Sequence, residues 1–198
     1  MMRRFQIFCL IAVLASGLQA SNKSVQVVEG IGDMLQFLPA IAAIYALHIK
    51  DYEGLKELAI GVGSTLGTVI ISKQALHAIS KKDPNLVRFA ERPNHSNFEG
   101  FPSGHTASAF SAVGFLQKRY GWKFGLPTAI LATFVGYSRI YARKHTPFQV
   151  VAGAMLGFGV SYLVASKYID PTKHNLSMDT QTDIRGRSQY SIRYSHFF

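Results

Sequence analysis

Glu99-Gly-Phe-Pro-Ser-Gly-His-Thr-Ala-Ser-Ala-Phe110 is the stretch from which the rest of the chain can be read. Within it, Pro102-Ser103-Gly104-His105 sets a hydroxyl, a glycine and an imidazole at the start of an apolar segment that runs to about residue 117. The segment reads as a helix. Its first turn then offers unpaired N–H groups and the positive end of the helix dipole, a seat for an oxyanion. Ser103 is a natural N-cap, and Gly104 lets a ligand approach the backbone closely. His105 stands where it can pass a proton to whatever is bound.

Outward from this stretch, apolar runs cover about 31–49, 57–72, 124–141 and 148–166. The 105–117 run reaches comparable length when counted from Phe101 to Lys118. Each approaches the ~20 residues that a membrane-spanning helix requires. Small residues recur in Gly61-Val-Gly-Ser-Thr-Leu-Gly67 and Gly153-Ala-Met-Leu-Gly-Phe-Gly159, as expected of close packing faces between helices in lipid. At the N-terminus, Arg3-Arg4 precedes an apolar stretch from Phe5 to Leu18 and then Gln19-Ala20-Ser21, so residues 1–20 read as a signal peptide or a first transmembrane helix. The expected fold is an all-α integral-membrane bundle of about six helices, or five if residues 1–20 are cleaved. Residues 21–168 form its membrane domain and 169–198 a polar tail. In that tail Tyr190, Ile192, Tyr194 and His196 alternate with polar neighbours, a strand pattern that allows either a short β-hairpin or a mobile, loosely paired tail, and the tail is assigned no chemistry.

The chain has 198 residues, 48% of them hydrophobic and 16% charged, which indicates one membrane domain rather than a soluble globule. Its net charge of +10 calls for an anionic partner. The basic residues are not gathered on one helix or arm, which argues against nucleic acid and leaves the bilayer and a phosphorylated substrate. Cys9 is the single cysteine, and no Cys/His cluster has metal-ligand spacing, so neither a disulfide nor a metal or other cofactor is expected. The sequence carries no signal for oligomeric state. With Arg3 and Arg4 inside, six crossings would put 12 basic residues inside and 9 outside, so the positive-inside rule is only mildly obeyed. Those outside crowd into two loops, 73–104 and 139–147.

These loops supply the chemistry. The 57–72 run ends at Lys73, and Glu91-Arg92-Pro93 leads to Pro-Ser-Gly-His at the next helix start. The 124–141 run emerges with Ser138-Arg139. His145-Thr146-Pro147 opens the last helix, with Thr146 as N-cap and Pro147 as first helical residue. Two histidines, two arginines, a lysine and two helix N-termini suit a tetrahedral, multiply charged oxyanion. One neutral imidazole can attack phosphorus while the other protonates the leaving alkoxide and then deprotonates water. The cations stabilise charge on the equatorial oxygens and keep a nucleophilic histidine neutral.

Arg92-Pro93, Pro102-Ser103-Gly104-His105 and Ser138-Arg139 with His145 together resemble the three-part signature of type 2 phosphatidic acid phosphatases, which share a fold with vanadium haloperoxidases. The resemblance covers roughly residues 60–160. It implies His145 as nucleophile and His105 as general acid, with Lys73, Arg92, Ser103, Gly104 and Arg139 holding phosphate and no metal. Two positions depart from the family pattern. The family's lysine usually lies a few residues before Arg-Pro, which falls on Asn85 here. Lys73 is further back, with Lys81 and Lys82 as rivals. Ser72-Lys-Gln-Ala-Leu-His77, the insert after it and Glu91-Arg-Pro93 resemble bacterial lipid A 1-phosphatases, and this favours Lys73. The family also usually has an aspartate four residues after the nucleophile, where this chain has Gln149. Glutamine can accept the imidazole N–H and orient the ring, so Gln149 is grouped with the catalytic histidines. It adds no negative charge, which allows for a slower enzyme, for Glu91 or Glu99 as substitute carboxylate, or for an inactive lipid-binding protein.

The implied function is hydrolysis of a phosphomonoester on a lipid head group through a phosphohistidine, with lipid A (1- or 4'-phosphate) as first candidate. Undecaprenyl pyrophosphate, phosphatidylglycerol phosphate, phosphatidate and transfer to a second lipid are alternatives. The expected location is the bacterial inner membrane, multi-pass, with the site facing the periplasm. Tyr137, Tyr141, Phe98 and Phe101 either line the substrate's approach or anchor the chain at the interface.

Overall fold

The computed structural model describes residues 22–169, 174–182 and 188–196, so the expectation for residues 1–20 lies outside the described residues. Six α-helices follow one another: α1 (Asn22–Leu35), α2 (Leu38–His48), α3 (Tyr52–Ser80), α4 (Gly104–Tyr120), α5 (Trp122–Tyr141) and α6 (Pro147–Val164). A short 3-10 segment, Pro84–Ala90, lies between α3 and α4. In the tail, β1 (His174–Thr182) and β2 (Ser188–His196) form an antiparallel pair, from His174 opposite His196 to Thr182 opposite Ser188, the hairpin that the alternation allows.

Two expected elements differ. The 57–72 run does not stop at Lys73: its helix, α3, continues to Ser80, so Lys73 stands inside the helix rather than at its end. The 31–49 run is not one helix but the end of α1 and the whole of α2, separated at Gln36-Phe37. Pro39 is the cause. It sits in the first turn of α2, where a missing N–H is harmless. Continued backward, the helix would drive its ring into the carbonyl of Leu35, the last residue of α1. The freed carbonyl of Gln36 accepts the Ser108 hydroxyl at 2.8 Å, which fastens the break to α4.

Helix α4 is central, packed against α3, α5 and α6. Ala107, Ala109, Ala112 and Phe115 along it are fully buried. Its neighbours approach to backbone contact because they present glycine. A Cβ on Gly157 would stand 2.0 Å from the Ala107 carbonyl oxygen, and one on Gly153 2.4 Å from that of Ser103. Small hydroxyl residues share this largely apolar interior, and large apolar side chains cover the outside. Thr65, Ser111, Ser138 and Ser161 are buried, whereas Ile41, Ile44, Ile60, Ile71, Ile130, Met155 and Leu163 face outward. Such a surface suits lipid. Three segments are long and apolar enough to cross a membrane: Lys23–His48, Tyr52–Ser80 and Pro147–Val164.

The alternating helix directions give the bundle two distinct ends. At one, Asp51 caps α3 by accepting the Gly54 N–H at 3.0 Å, and the same carboxylate takes a bidentate pair from Arg119 near the end of α4. Arg119 also donates to Glu57 at 2.7 Å and to the Ser166 hydroxyl at 3.0 Å, and Tyr120 donates to Asp51 at 2.6 Å. The other end gathers Lys73 from the later part of α3, the start of α4, the end of α5 and the start of α6.

Candidate active site

The segment from Arg139 to His145 makes its own geometry. After α5 ends, the N–H groups of Lys144 and His145 both return to the Arg139 carbonyl, at 3.0 and 3.2 Å. This tight return sets the two side chains at one mouth and accounts physically for their spacing. Thr146 then caps α6 in a full capping box: its hydroxyl accepts the Gln149 N–H, and the Gln149 side chain accepts the Thr146 N–H. Ser103 occupies the N-cap of α4, as expected, but its hydroxyl makes no cap bond and pairs instead with the Thr106 hydroxyl at 2.9 Å. The N-terminal amides of α4 are therefore left without a side-chain cap.

His145 is almost fully buried. Its Nδ1 faces the Gly100 carbonyl at 2.8 Å and Gln149 Oε1 at 3.3 Å. Both partners are acceptors, so Nδ1 carries the proton and Nε2 keeps the lone pair. Burial, with the charges of Lys73 and Arg92, pushes the His145 pKa down to about 4, against the pull of the Gly100 and Gln149 bonds. The ring is a neutral base aimed by neutral partners.

The expected phosphate ligands converge here. Lys73 Nζ would lie 3.7 Å from a Cβ on Gly104, and its charge bears on both His105 and His145. Arg92 acts on Lys73 and His145, and its buried Nε has no hydrogen-bond partner among the described residues. Arg139 acts on His105. Lys73, Arg92, Gly104, His105, Arg139 and His145 thus form one cluster of cations, imidazoles and helix-start amides, the inventory for gripping a tetrahedral oxyanion. Phe101 packs edge-on against Phe89 and stacks on Phe148, and Tyr137 stacks on Tyr141.

The sequence pattern of the PAP2 superfamily matches residues 59–172, more than half the chain. The chain belongs to the PAP2 superfamily. It is 39% identical over 175 residues to a lipid A 4'-phosphatase of Helicobacter pylori, covering 88% of this chain and 87% of the relative. It is 30% identical over 139 residues to a lipid A 1-phosphatase of the same species, covering 70% and 69%. The crystal structure of Aquifex aeolicus LpxE superposes with a TM-score of 0.59 at 19% identity, covering 78% of this chain and 93% of that one. A transmembrane PAP2-type phosphatidylglycerolphosphate phosphatase from Bacillus subtilis gives 0.50 at 23% identity, covering 77% and 81%. This PAP2 protein is a membrane phosphatase.

The geometry also bears on the two departures of this PAP2 chain from its family. Among the rival lysines, Lys73 is the one beside the histidines, whereas Lys81 and Lys82 are exposed beyond the end of α3 and Asn85 is exposed on the 3-10 segment. Neither proposed substitute carboxylate reaches His145. Glu91 bonds His95 at 2.7 Å, and Glu99 stands 4.0 Å from His77. Gln149 does more than orient the ring. Fully buried, it donates through Nε2 to the Phe89 and Glu91 carbonyls, each at 2.9 Å, and so ties the loop leading to Arg92 against His145. An aspartate could donate to neither carbonyl.

Sequence reading missed three groups. The Gly100 carbonyl is His145's nearer partner, and no side-chain pattern announces a backbone acceptor. Asp33 on α1 pairs with His105 Nε2 at 3.0 Å and with Arg139 at 2.8 Å. Glu29, one turn earlier, takes Arg139 on its backbone carbonyl at 2.8 Å and Lys144 on its carboxylate at 3.4 Å. The signal available was two acids spaced four apart beside an apolar run, which marks one helical face.

Proposed function

We propose that this protein removes a phosphate from lipid A, the 4'-phosphate first, through a phosphohistidine on His145. The carrying observation is a buried, neutral His145 beside a partnerless Arg92 Nε, in a chain 39% identical to a lipid A 4'-phosphatase over most of both lengths. His145 Nε2 attacks phosphorus in line, and His105 protonates the departing sugar oxygen and then deprotonates the hydrolytic water. Lys73, Arg92, Arg139 and the backbone around Ser103 and Gly104 hold the phosphate oxygens, and Gln149 keeps His145 and the Arg92 loop in register. The reaction draws on no metal ion. The chain lies in the bacterial inner membrane with this mouth at the periplasmic face, where the phosphate reaches the helix ends while the acyl chains stay in lipid. The similarity to a 1-phosphatase supports the 1-phosphate as second reading.

Lipid A incubated with purified protein in detergent and EDTA should lose the mass of one phosphate, and fragmentation of the product should place the loss at the 4' position. His145→Ala and His105→Ala should each lower the rate by roughly three orders of magnitude or more. Loss from the 1 position would select the second reading. Abolition by EDTA would overturn the metal-free mechanism. Lipid binding without phosphate release from any phosphorylated lipid would make the chain a binding protein.

A further inference from the structure

The two imidazoles are held differently. His145, which must stay neutral to attack, is aimed by a carbonyl and an amide. His105 is held by a carboxylate: Asp33 Oδ1 lies 3.0 Å from His105 Nε2 and 2.8 Å from an Arg139 nitrogen. We infer that Asp33 is the positioning residue of the proton donor, locking His105 with Nε2–H toward α1 so that Nδ1 is the nitrogen that gives and takes the proton. The inference rests on the phosphatase reading above. Asp33 lies ahead of residues 59–172, outside the segment that carries the family signature.

Several observations support a built contact. The residue before Asp33 is Gly32, which meets Ser138 so closely that a Cβ would stand 1.9 Å from its hydroxyl oxygen. α1 is thereby pressed onto α5 at the position preceding Arg139. Arg139 is held from α1 twice, by Asp33 and by the Glu29 carbonyl at 2.8 Å, while its Nε reaches Ser138 at 3.2 Å. A guanidinium has five N–H donors, so two remain for phosphate oxygens. The carboxylate therefore couples the proton donor to the phosphate grip without exhausting the grip. Its logic is that of the aspartate in a serine-protease triad, which orients the imidazole and stabilises the imidazolium.

The proton balance is complete. As His145 Nε2 bonds to phosphorus and the P–O bond to the leaving group breaks, the Nδ1 proton of the His105 imidazolium moves to the leaving oxygen. In the second half, water oxygen bonds to phosphorus and the N–P bond breaks. The water proton then returns to His105 Nδ1, releasing phosphate and restoring the imidazolium. Asp33 keeps its charge throughout and hydrogen-bonds Nε2–H in both states.

Asp33→Asn and Asp33→Glu test this through the leaving group. An alkyl phosphate needs a proton on its departing oxygen, and a nitrophenyl phosphate does not. For Asp33→Asn, kcat/KM on an alkyl phosphate lipid should fall by about 10²–10⁴-fold, with less than about 10-fold loss on the nitrophenyl ester. Asp33→Glu should recover part of the alkyl activity. Independently of turnover, ¹⁵N spectra of the wild type should show neutral His105 as the Nε2–H tautomer, a preference that Asp33→Ala removes. Equal losses on both esters would overturn the inference and leave Asp33 a structural residue. Tighter inhibition by inorganic phosphate with undiminished alkyl turnover would overturn it too, marking Asp33 as an occupant of the phosphate seat. If wild type cleaves neither ester, the phosphatase reading has failed, whereas an unchanged His105 tautomer in Asp33→Ala defeats the positioning claim alone.

Discussion

His145 and Gln149 show how a single residue is fixed by what surrounds it. The folded pKa of His145, about 4, lies below the ordinary histidine value of 6.5, so between these pH values the unfolded chain binds a proton that the folded chain refuses. Stability is therefore fully present above pH 6.5 and falls as the pH drops toward 4, by up to about 3 kcal/mol. Thermal midpoints recorded from pH 7 to pH 4 should show this slope in the wild type and a shallower one in His145→Gln. Gln149→Asp restores the family's usual residue, yet it should not improve the enzyme. The carboxylate would meet the Phe89 and Glu91 carbonyls without a proton to offer, costing about 2–4 kcal/mol and loosening the Arg92 loop. A melting curve and kcat on the same preparation check both effects. At this scale the residues at helix starts were legible, because Ser-Gly-His and His-Thr-Pro carry local capping chemistry. The partners were not: Asp33 lies 72 positions before His105, and nothing local joins them.

Among the elements, α4 carries His105 in its first turn and α6 begins just after His145, so the spacing of these helices sets the distance across the site. Gly157→Val adds a side chain where even a Cβ would stand 2.0 Å from the Ala107 carbonyl oxygen. It should cost about 1–3 kcal/mol and lower turnover as well, since the helices must part. Gly159→Ala in the same glycine run has open space, and it should be neutral or stabilise by up to about 1 kcal/mol. Comparing the two by thermal denaturation and phosphate release separates packing glycines from idle ones. The sequence showed both as equal members of a small-residue stripe, because periodicity identifies a face but not what lies opposite. The division of the 31–49 run was likewise written in Pro39, but its apolar neighbours hid it: hydropathy is blind to a ring clashing with a carbonyl.

For the whole molecule, the end opposite the histidines holds the helices together with buried charge. Arg119→Ala would leave Asp51 and Glu57 without their guanidinium, which should cost about 3–5 kcal/mol. Turnover per folded molecule should stay near wild type, because the site lies at the other end. Thermal denaturation in detergent, alongside kcat normalised to the folded fraction, tests the separation. Composition and run lengths made the membrane bundle legible, but this knot was not, since Asp51 and Arg119 lie far apart in the chain and nothing local joins them. The knot also has a practical use. With Ser166 bonded to Arg119 and the Tyr168 N–H to the Arg119 carbonyl, every contact described for the bundle is made before Ile169, which points outward. A fluorescent protein spliced there would hang beside Arg119, and a glow from living cells would put that end in the cytosol and the histidines across the lipid from it.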